Sequence, residues 1–222
     1  MISDRPFNDE RLVYATGVVL AAGAGTRLGH GPKALLQHHG QPLVEIIAAN
    51  LLSGGCHEVL IIVGAKAHVV EASANLAPYR TIVNNDWQTG MGSSFLAGAH
   101  AAAVSDHIVV ALVDQPGLTR EIVRRLLKFH KPGRITSAAY RDPREPDILR
   151  RGHPMVIDVS LREQVAATVT GDAGARDFLR NNPWLVDLID CSDQSTGEDV
   201  DTPEQMYRLL SGTQNHADID EQ

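Results

Sequence analysis

Cysteine is nearly absent from this chain, with Cys56 and Cys191 the two thiols in 222 residues. Two thiols make no disulfide framework, and they read as reduced side chains of a cytoplasmic protein. Positive charge is also scarce. Lys and Arg total 20 against 27 Asp and Glu, a formal net charge of −7. That balance argues against a nucleic-acid partner, because phosphate backbones reward a basic surface. No charged-then-apolar leader opens the chain, and no apolar run approaches membrane-spanning length, so no membrane role is expected. Internal repeats, low-complexity linkers and any assignable Ser–His–Asp or Cys–His arrangement are missing too. What remains is 43% hydrophobic and 21% charged, the composition of a folded domain with room for one sizeable core.

Residues 1–12 read as a loose polar leader, 13–211 as one domain and 212–222 as a flexible tail. Strands are expected at Ala15–Ala21, Glu58–Val63, Tyr79–Val83 and Ile108–Val113. Helices are expected at Pro42–Ser53, Ala67–Ala74, Ser94–Ala103 and from the Thr119 cap to Phe129. This alternation calls for an α/β fold, an open, mostly parallel Rossmann-like sheet with helices on both faces. After Gly133 the pattern loosens into a small β-rich insert. It contains strands near Ile135–Tyr140, Met155–Asp158 and Val186–Ile189, and a charged surface hairpin or flap at Arg141–Arg151.

The most informative stretch is VVLAAGAGTRLGHGPKALL, residues 18–36. An apolar strand empties into Leu20, Ala21, Ala22, Gly23, Ala24 and Gly25, and Gly29 follows; glycines let backbone approach a ligand closely. Arg27 and Lys33 add two cations. Backbone N–H groups and cations at a strand end make a polyphosphate cradle. It is not a Walker A loop, because Lys33 follows Pro32 and precedes Ala34. A dinucleotide fingerprint requires an acid near the end of the second strand. That strand ends Ile61-Ile62-Val63-Gly64, without one.

Three further groups fall at strand or loop ends, where open α/β sheets bind ligands. Asp114 follows a buried run and suits a divalent cation, or an Asx turn. Asp199 and Asp201 flank Val200 and point the same way if extended, or cap the helix that Pro203 opens. Asp114 and Asp201 together would make a hard oxygen site for Mg²⁺. Gly90-Met91-Gly92-Ser93-Ser94 reads as a flexible loop whose N–H groups and hydroxyls suit an anion, or simply cap a helix. His153, in Gly152-His153-Pro154, is a candidate substrate contact, and Arg176 a cation leading into a helix.

The motifs LAAGAGTRLG…GPKALL, NNDWQTGMGSS, ALVDQP, GHP, GDAGAR and DVDTP, in that order, resemble those of MobA-like nucleotidyltransferases over about residues 16–210. The nearest branch looks like the molybdenum cofactor cytidylyltransferases. The resemblance implies an NTP donor, Mg²⁺, and NMP transfer to a phosphorylated, pterin-like acceptor with release of pyrophosphate. A molybdoenzyme receiving the product is the implied partner. By the same carry-over Gly23, Gly25, Arg27 and Lys33 cradle the triphosphate, Asp114 and Asp201 hold the metal, and Gly92, Ser93, Ser94 and His153 face the acceptor. Leu-Ala-Ala-Gly around Ala22 favours CTP, since guanylyl-transferring relatives commonly read Leu-Ala-Gly-Gly. One departure is visible: His30-Gly31-Pro32 stands before Lys33 where characterised molybdopterin enzymes typically have Asn or Asp. That leaves the acceptor open, and relatives with Gly-Pro-Lys include one assigned an oxidoreductase role on a pigment.

The chemistry expected is in-line attack of an acceptor phosphate on the α-phosphorus, with Arg27 and Lys33 offsetting charge on the departing pyrophosphate. A phosphate monoester is already anionic at neutral pH, so no general base is required. Two other function classes stay open: an NAD(P)- or flavin-dependent oxidoreductase using the same glycine loop, and a non-catalytic module that delivers a cofactor.

Overall fold

The computed structural model describes residues 13–29, 31–142 and 144–209. The expected leader 1–12 and the tail 212–222 lie outside the described residues. Strand β1 (Ala15–Leu20) is buried along its whole length, as the central strand of a sheet covered on both faces must be. Next come two short strands, β2 (Gln37–His38) and β3 (Gln41–Pro42), which pair with each other apart from the main sheet. Then follow α1 (Leu43–Ser53), β4 (Glu58–Val63), α2 (Ala67–Ser73), β5 (Arg80–Val83), α3 (Met91–Ala101), β6 (His107–Leu112) and α4 (Arg120–Phe129). The last third holds β7 (Ile135–Asp142), β8 (Glu145–Ile157), α5 (Arg162–Ala166), α6 (Arg176–Asn181) and β9 (Val186–Asp190).

The seven-stranded sheet has the order β5-β4-β1-β6-β8-β7-β9. β8 runs antiparallel to both its neighbours, and the remaining pairings are parallel. The β-rich part after residue 133 is present, but its strands extend the main sheet instead of standing beside it. Its long member β8 starts exposed in the hairpin and ends buried against β6.

Alternate residues of each central strand feed two cores, the period-2 consequence of the pleat. Val19, Ile61, Val63, Val109 and Ala111 pack with α1 and α4; Val18, Leu60, Ile62, Ile108 and Val110 pack with α3, α5 and α6. α4 shows how the sequence sets this up. The Thr119 hydroxyl accepts from Ile122 N–H at 3.3 Å, and Ile122, Val123, Leu126 and Leu127 then fall on one buried face.

β1 leads to β4 and β5 on one side, and β6 lies on its other side. A crevice opens beyond the carboxyl ends where strand order reverses in this way. The opposite edge is tied down. Arg162, buried, donates to the carbonyls of Ala99, Ala102, Ala103 and Asp106, satisfying acceptors at the end of α3 and in the segment that follows it. Thr16 Oγ1 donates to Asp106 Oδ2 at 2.7 Å.

Candidate active site

The Gly-rich loop leaves β1 at the switch point and closes on itself. Gly25 has φ 64°, and a Cβ there would lie 2.0 Å from the Gly31 carbonyl oxygen, so glycine alone fits. Leu28 N–H donates back to Gly25 at 3.1 Å. No backbone N–H from Ala22 to Arg27 donates to a backbone carbonyl among the described residues. These donors border a cavity of about 730 Å³, lined from this loop by Leu20, Ala22, Gly23, Ala24, Gly25, Thr26, Arg27 and Lys33. Ala21, expected with them, is buried in the core beneath instead.

Across the cavity stand three carboxylates, Asp114, Asp199 and Asp201. Asp114 follows β6, and its carbonyl accepts from Val200 N–H at 2.9 Å. With Val200 fully buried, that bond fixes the 199–201 segment beside the strand end. Residues 87 positions apart are thus brought together. Gln115 holds Asp199 through Nε2 at 2.7 Å.

Lys33 sits in a different place from the one its expected role suggests. Its ammonium lies between the two carboxylates, donating to Asp114 Oδ2 at 2.7 Å and to Asp201 Oδ1. Three neighbouring acids draw it there; Arg27, much more exposed, approaches Asp201 only to 4.0 Å. Burial works to lower the Lys33 pKa, yet Asp114 and Asp201 outweigh it and the net shift is upward. The Lys33 contact holds Asp201 below the usual carboxylate range. Burial, reinforced by Asp114, pushes Asp199 up. Asp114 Oδ1 is buried and finds no hydrogen-bond partner among the described residues, an acceptor still to be satisfied.

The far side of the cavity is lined by Trp87, Gln88, Met91, Ser94, Arg151, His153, Asp172 and Arg176, among others. The stretch read as a flexible loop is not one. α3 begins at Met91, three residues before the expected start, so Gly92, Ser93 and Ser94 form its first turn. Asp172 Oδ1 accepts from Met91 N–H at 3.3 Å, and Asn84 Nδ2 donates to the hydroxyls of Ser93 (2.8 Å) and Ser94 (3.0 Å). Gly92 backs onto the Gly171 carbonyl. Neither Gly92 nor Ser93 lines the cavity, whereas Ser94, His153 and Arg176 do. Burial first, then Arg151 and Arg176, drives the His153 pKa down to about 4. Tyr140 of β7 donates its hydroxyl to the His153 carbonyl at 2.8 Å. Its ring fills the space beside Gly152 and Gly197.

A family model described as a MobA-like NTP transferase domain matches residues 17–187. The chain belongs to this family. Among its relatives, the nicotine blue oxidoreductase of Paenarthrobacter nicotinovorans is 66% identical over 202 residues, covering 91% of this chain and 99% of the relative. The molybdenum cofactor guanylyltransferase of Xanthomonas euvesicatoria pv. vesicatoria is 29% identical over 198 residues, covering 88% and 94%. A nucleotidyl transferase from Methanothermobacter shares the fold at TM-score 0.74 and 21% identity, over 88% of this chain and 95% of that one. The manganese complex of the Rv0371c protein of Mycobacterium tuberculosis H37Rv matches at TM-score 0.72 and 25% identity, over 89% and 98%.

Within this MobA-like site, sequence reasoning passed over Trp87, Gln88, Asp172 and Arg151. From the sequence Arg151 reads as one of the solvated charges of the 141–151 hairpin, but β8 carries its side chain back to the cavity rim. Trp87 stood in the quoted NNDWQTGMGSS motif, the one signal that could have marked it.

Proposed function

We propose that this MobA-like protein transfers a nucleotidyl group from an NTP, CTP by the Ala22 signature, to a phosphorylated, pterin-like acceptor. The observation behind this reading is the convergence of Asp114 and Asp201 on one point facing the Ala22–Arg27 loop. An all-carboxylate donor set with an unsatisfied Asp114 oxygen fits Mg²⁺. Bound by Asp114 and Asp201, Mg²⁺ would screen the donor phosphates and polarise the reacting phosphoryl group. The N–H groups of the loop hold the polyphosphate. The acceptor phosphate oxygen attacks the α-phosphorus, the bond to the β-phosphate's bridging oxygen breaks, and pyrophosphate leaves with the electron pair. Lys33, turned from the carboxylates, and Arg27 offset the charge that builds on it. His153 stays neutral at pH 7 and contacts the acceptor, with Arg151 and Arg176 supplying positive charge.

A second reading is favoured by the 66% relative, matched over almost its whole length. In it the same glycine loop binds a reduced nicotinamide dinucleotide, and a flat pigment lies by Trp87. The pigment takes a hydride from the nicotinamide and a proton from solvent. Against it, β4 ends at Val63 without an acid, and the connection from it to α2 brings no acid to the cavity.

The decisive experiment runs both assays on one preparation: pyrophosphate release from each of four NTPs with Mg²⁺ and phosphorylated acceptors, and NADH or NADPH oxidation with aromatic pigments. Transfer predicts pyrophosphate release with CTP, lost on Asp114→Asn. Pigment-dependent NAD(P)H oxidation that survives Asp114→Asn, without pyrophosphate release, overturns the first reading and establishes the second.

A further inference from the structure

At the sheet edge opposite the cavity, three side chains from three elements meet. His107 opens β6, His130 follows α4, and Asp158 follows β8. Asp158 Oδ2 lies 3.3 Å from His107 Nδ1 and 3.4 Å from His130 Nε2, and a ligand atom from each residue falls within 4.8 Å of the others. These separations are long for hydrogen bonds. The two distances to Asp158 match the edge of a tetrahedron whose metal–ligand bonds are about 2.0–2.1 Å, roughly 3.3 Å.

We propose that His107, His130 and Asp158 form a second metal site, of the zinc class, distinct from the nucleotide cavity. The deciding observation is His130. Its side chain is 2% exposed, and its Nδ1 is already engaged with Thr136 Oγ1 at 2.9 Å. Its Nε2 is buried with no hydrogen-bond partner among the described residues and faces Asp158. An imidazole fixed through one nitrogen, with the other aimed inward, is the usual arrangement of a metal-bound histidine.

The protonation states suit a metal. Burial lowers the pKa of both His107 and His130, leaving them neutral with lone pairs available. Burial opposes ionisation of Asp158, but the hydroxyl and N–H of Ser160 outweigh it and keep the carboxylate charged. Two imidazoles and one carboxylate select borderline ions such as Zn²⁺ or Co²⁺ over Mg²⁺. Val159 N–H now donates to His107 Nδ1 at 3.0 Å, and coordination there exchanges that bond for one to the metal. His107, one-fifth exposed, leaves a side open for water as fourth ligand. The six extended residues of β6 separate this cluster from the Asp114 end of the strand by about 20 Å, so no ion serves both. A bound metal would clamp the end of α4 to the start of β6 and the end of β8.

The test uses full-length protein freed of metal with a chelator, then titrated with Co²⁺ alone and with Zn²⁺ alone. One equivalent of Co²⁺ gives the visible absorption of a tetrahedral site, and Zn²⁺ displaces it and raises the melting temperature. His130→Gln weakens Zn²⁺ binding at least tenfold. So does Asp158→Asn, which retains an oxygen for Ser160 and so spares the fold. Asp114→Asn leaves Zn²⁺ binding unchanged. Equal Zn²⁺ affinity in wild type and Asp158→Asn, loss of binding in Asp114→Asn, or no wild-type binding at micromolar Zn²⁺ each overturns the proposal.

Discussion

At the carboxyl edge of the sheet, three carboxylates crowd around one ammonium, that of Lys33, and an Asp114 oxygen finds no partner among the described residues. At the other edge a single guanidinium, that of Arg162, serves four backbone carbonyls. Charge is in excess over partners in the first region, whereas around Arg162 the buried guanidinium and the carbonyls it meets satisfy one another. An unsatisfied, like-charged cluster is costly to fold and cheap to fill with a ligand, whereas a satisfied one stabilises and offers a substrate little. The contrast assigns chemistry to one edge and stability to the other.

The largest expected effect breaks the stable edge. Arg162→Met removes the donors to the carbonyls of Ala99, Ala102, Ala103 and Asp106 and should cost about 4 kcal/mol of unfolding free energy. Urea denaturation reads it, while kcat/KM of the folded fraction stays near wild type. A loss of turnover with unchanged stability would reverse the division.

Lys33→Ala strikes the other edge. Losing its charge should raise the barrier by about 3 kcal/mol, roughly a hundredfold in turnover. The substitution also changes how stability depends on pH. In the wild type the depressed Asp201 contributes stability above its unfolded pKa, and loses it as pH falls through the folded value. The raised Lys33 contributes below its unfolded pKa, and loses it as pH rises through the folded one. Both contributions vanish in the variant, so its pH–stability curve flattens at the acid and alkaline ends.

A smaller effect concerns His153. Its pKa of about 4 means the unfolded chain binds the extra proton between pH 6.5 and 4. Stability conferred by the neutral imidazole is complete above pH 6.5 and is lost as pH falls through that window. Because the residue is partly exposed, the amplitude should be about 1–2 kcal/mol. His153→Gln should remove that slope in melts taken from pH 7 to pH 4. The smallest effect is that of Arg151→Ala, expected to raise the KM for the second substrate severalfold, about 1 kcal/mol, with the melting temperature unmoved.

Where local rules govern, the sequence was a good guide. β4 spans Glu58–Val63 as its apolar run indicates, and Thr119 caps α4 because a hydroxyl before an amphipathic run has few other uses. The carboxylate pair was legible through motif order, and its meeting depends on the Val200–Asp114 backbone bond. What escaped is what distant residues decide. Gly90 and Gly92 look like helix breakers, yet Asp172, 81 positions away, caps α3 at Met91. Arg151 reads as hairpin charge until β8 is seen to run on into the sheet. His107, His130 and Asp158 share no spacing pattern, since strand order alone brings them together.

The Tyr140 ring carries a consequence for how this sequence can drift. A Cβ at Gly152 would lie 2.8 Å from that ring, and one at Gly197 would lie 2.1 Å from it. The two glycines belong to different segments, one leading to His153 and the other to Asp199, yet both give their side-chain volume to the same aromatic. Substitution at Gly152 is tolerated when the ring shrinks, whereas Gly197, at φ 68°, is strained by any side chain whatever the ring's size. Positions 140 and 152 are therefore coupled through one volume, and position 197 is held to glycine by its backbone as well. Descendants of this chain should enlarge 152 only where 140 has become smaller, and should keep glycine at 197, however freely the exposed hairpin between 140 and 152 varies.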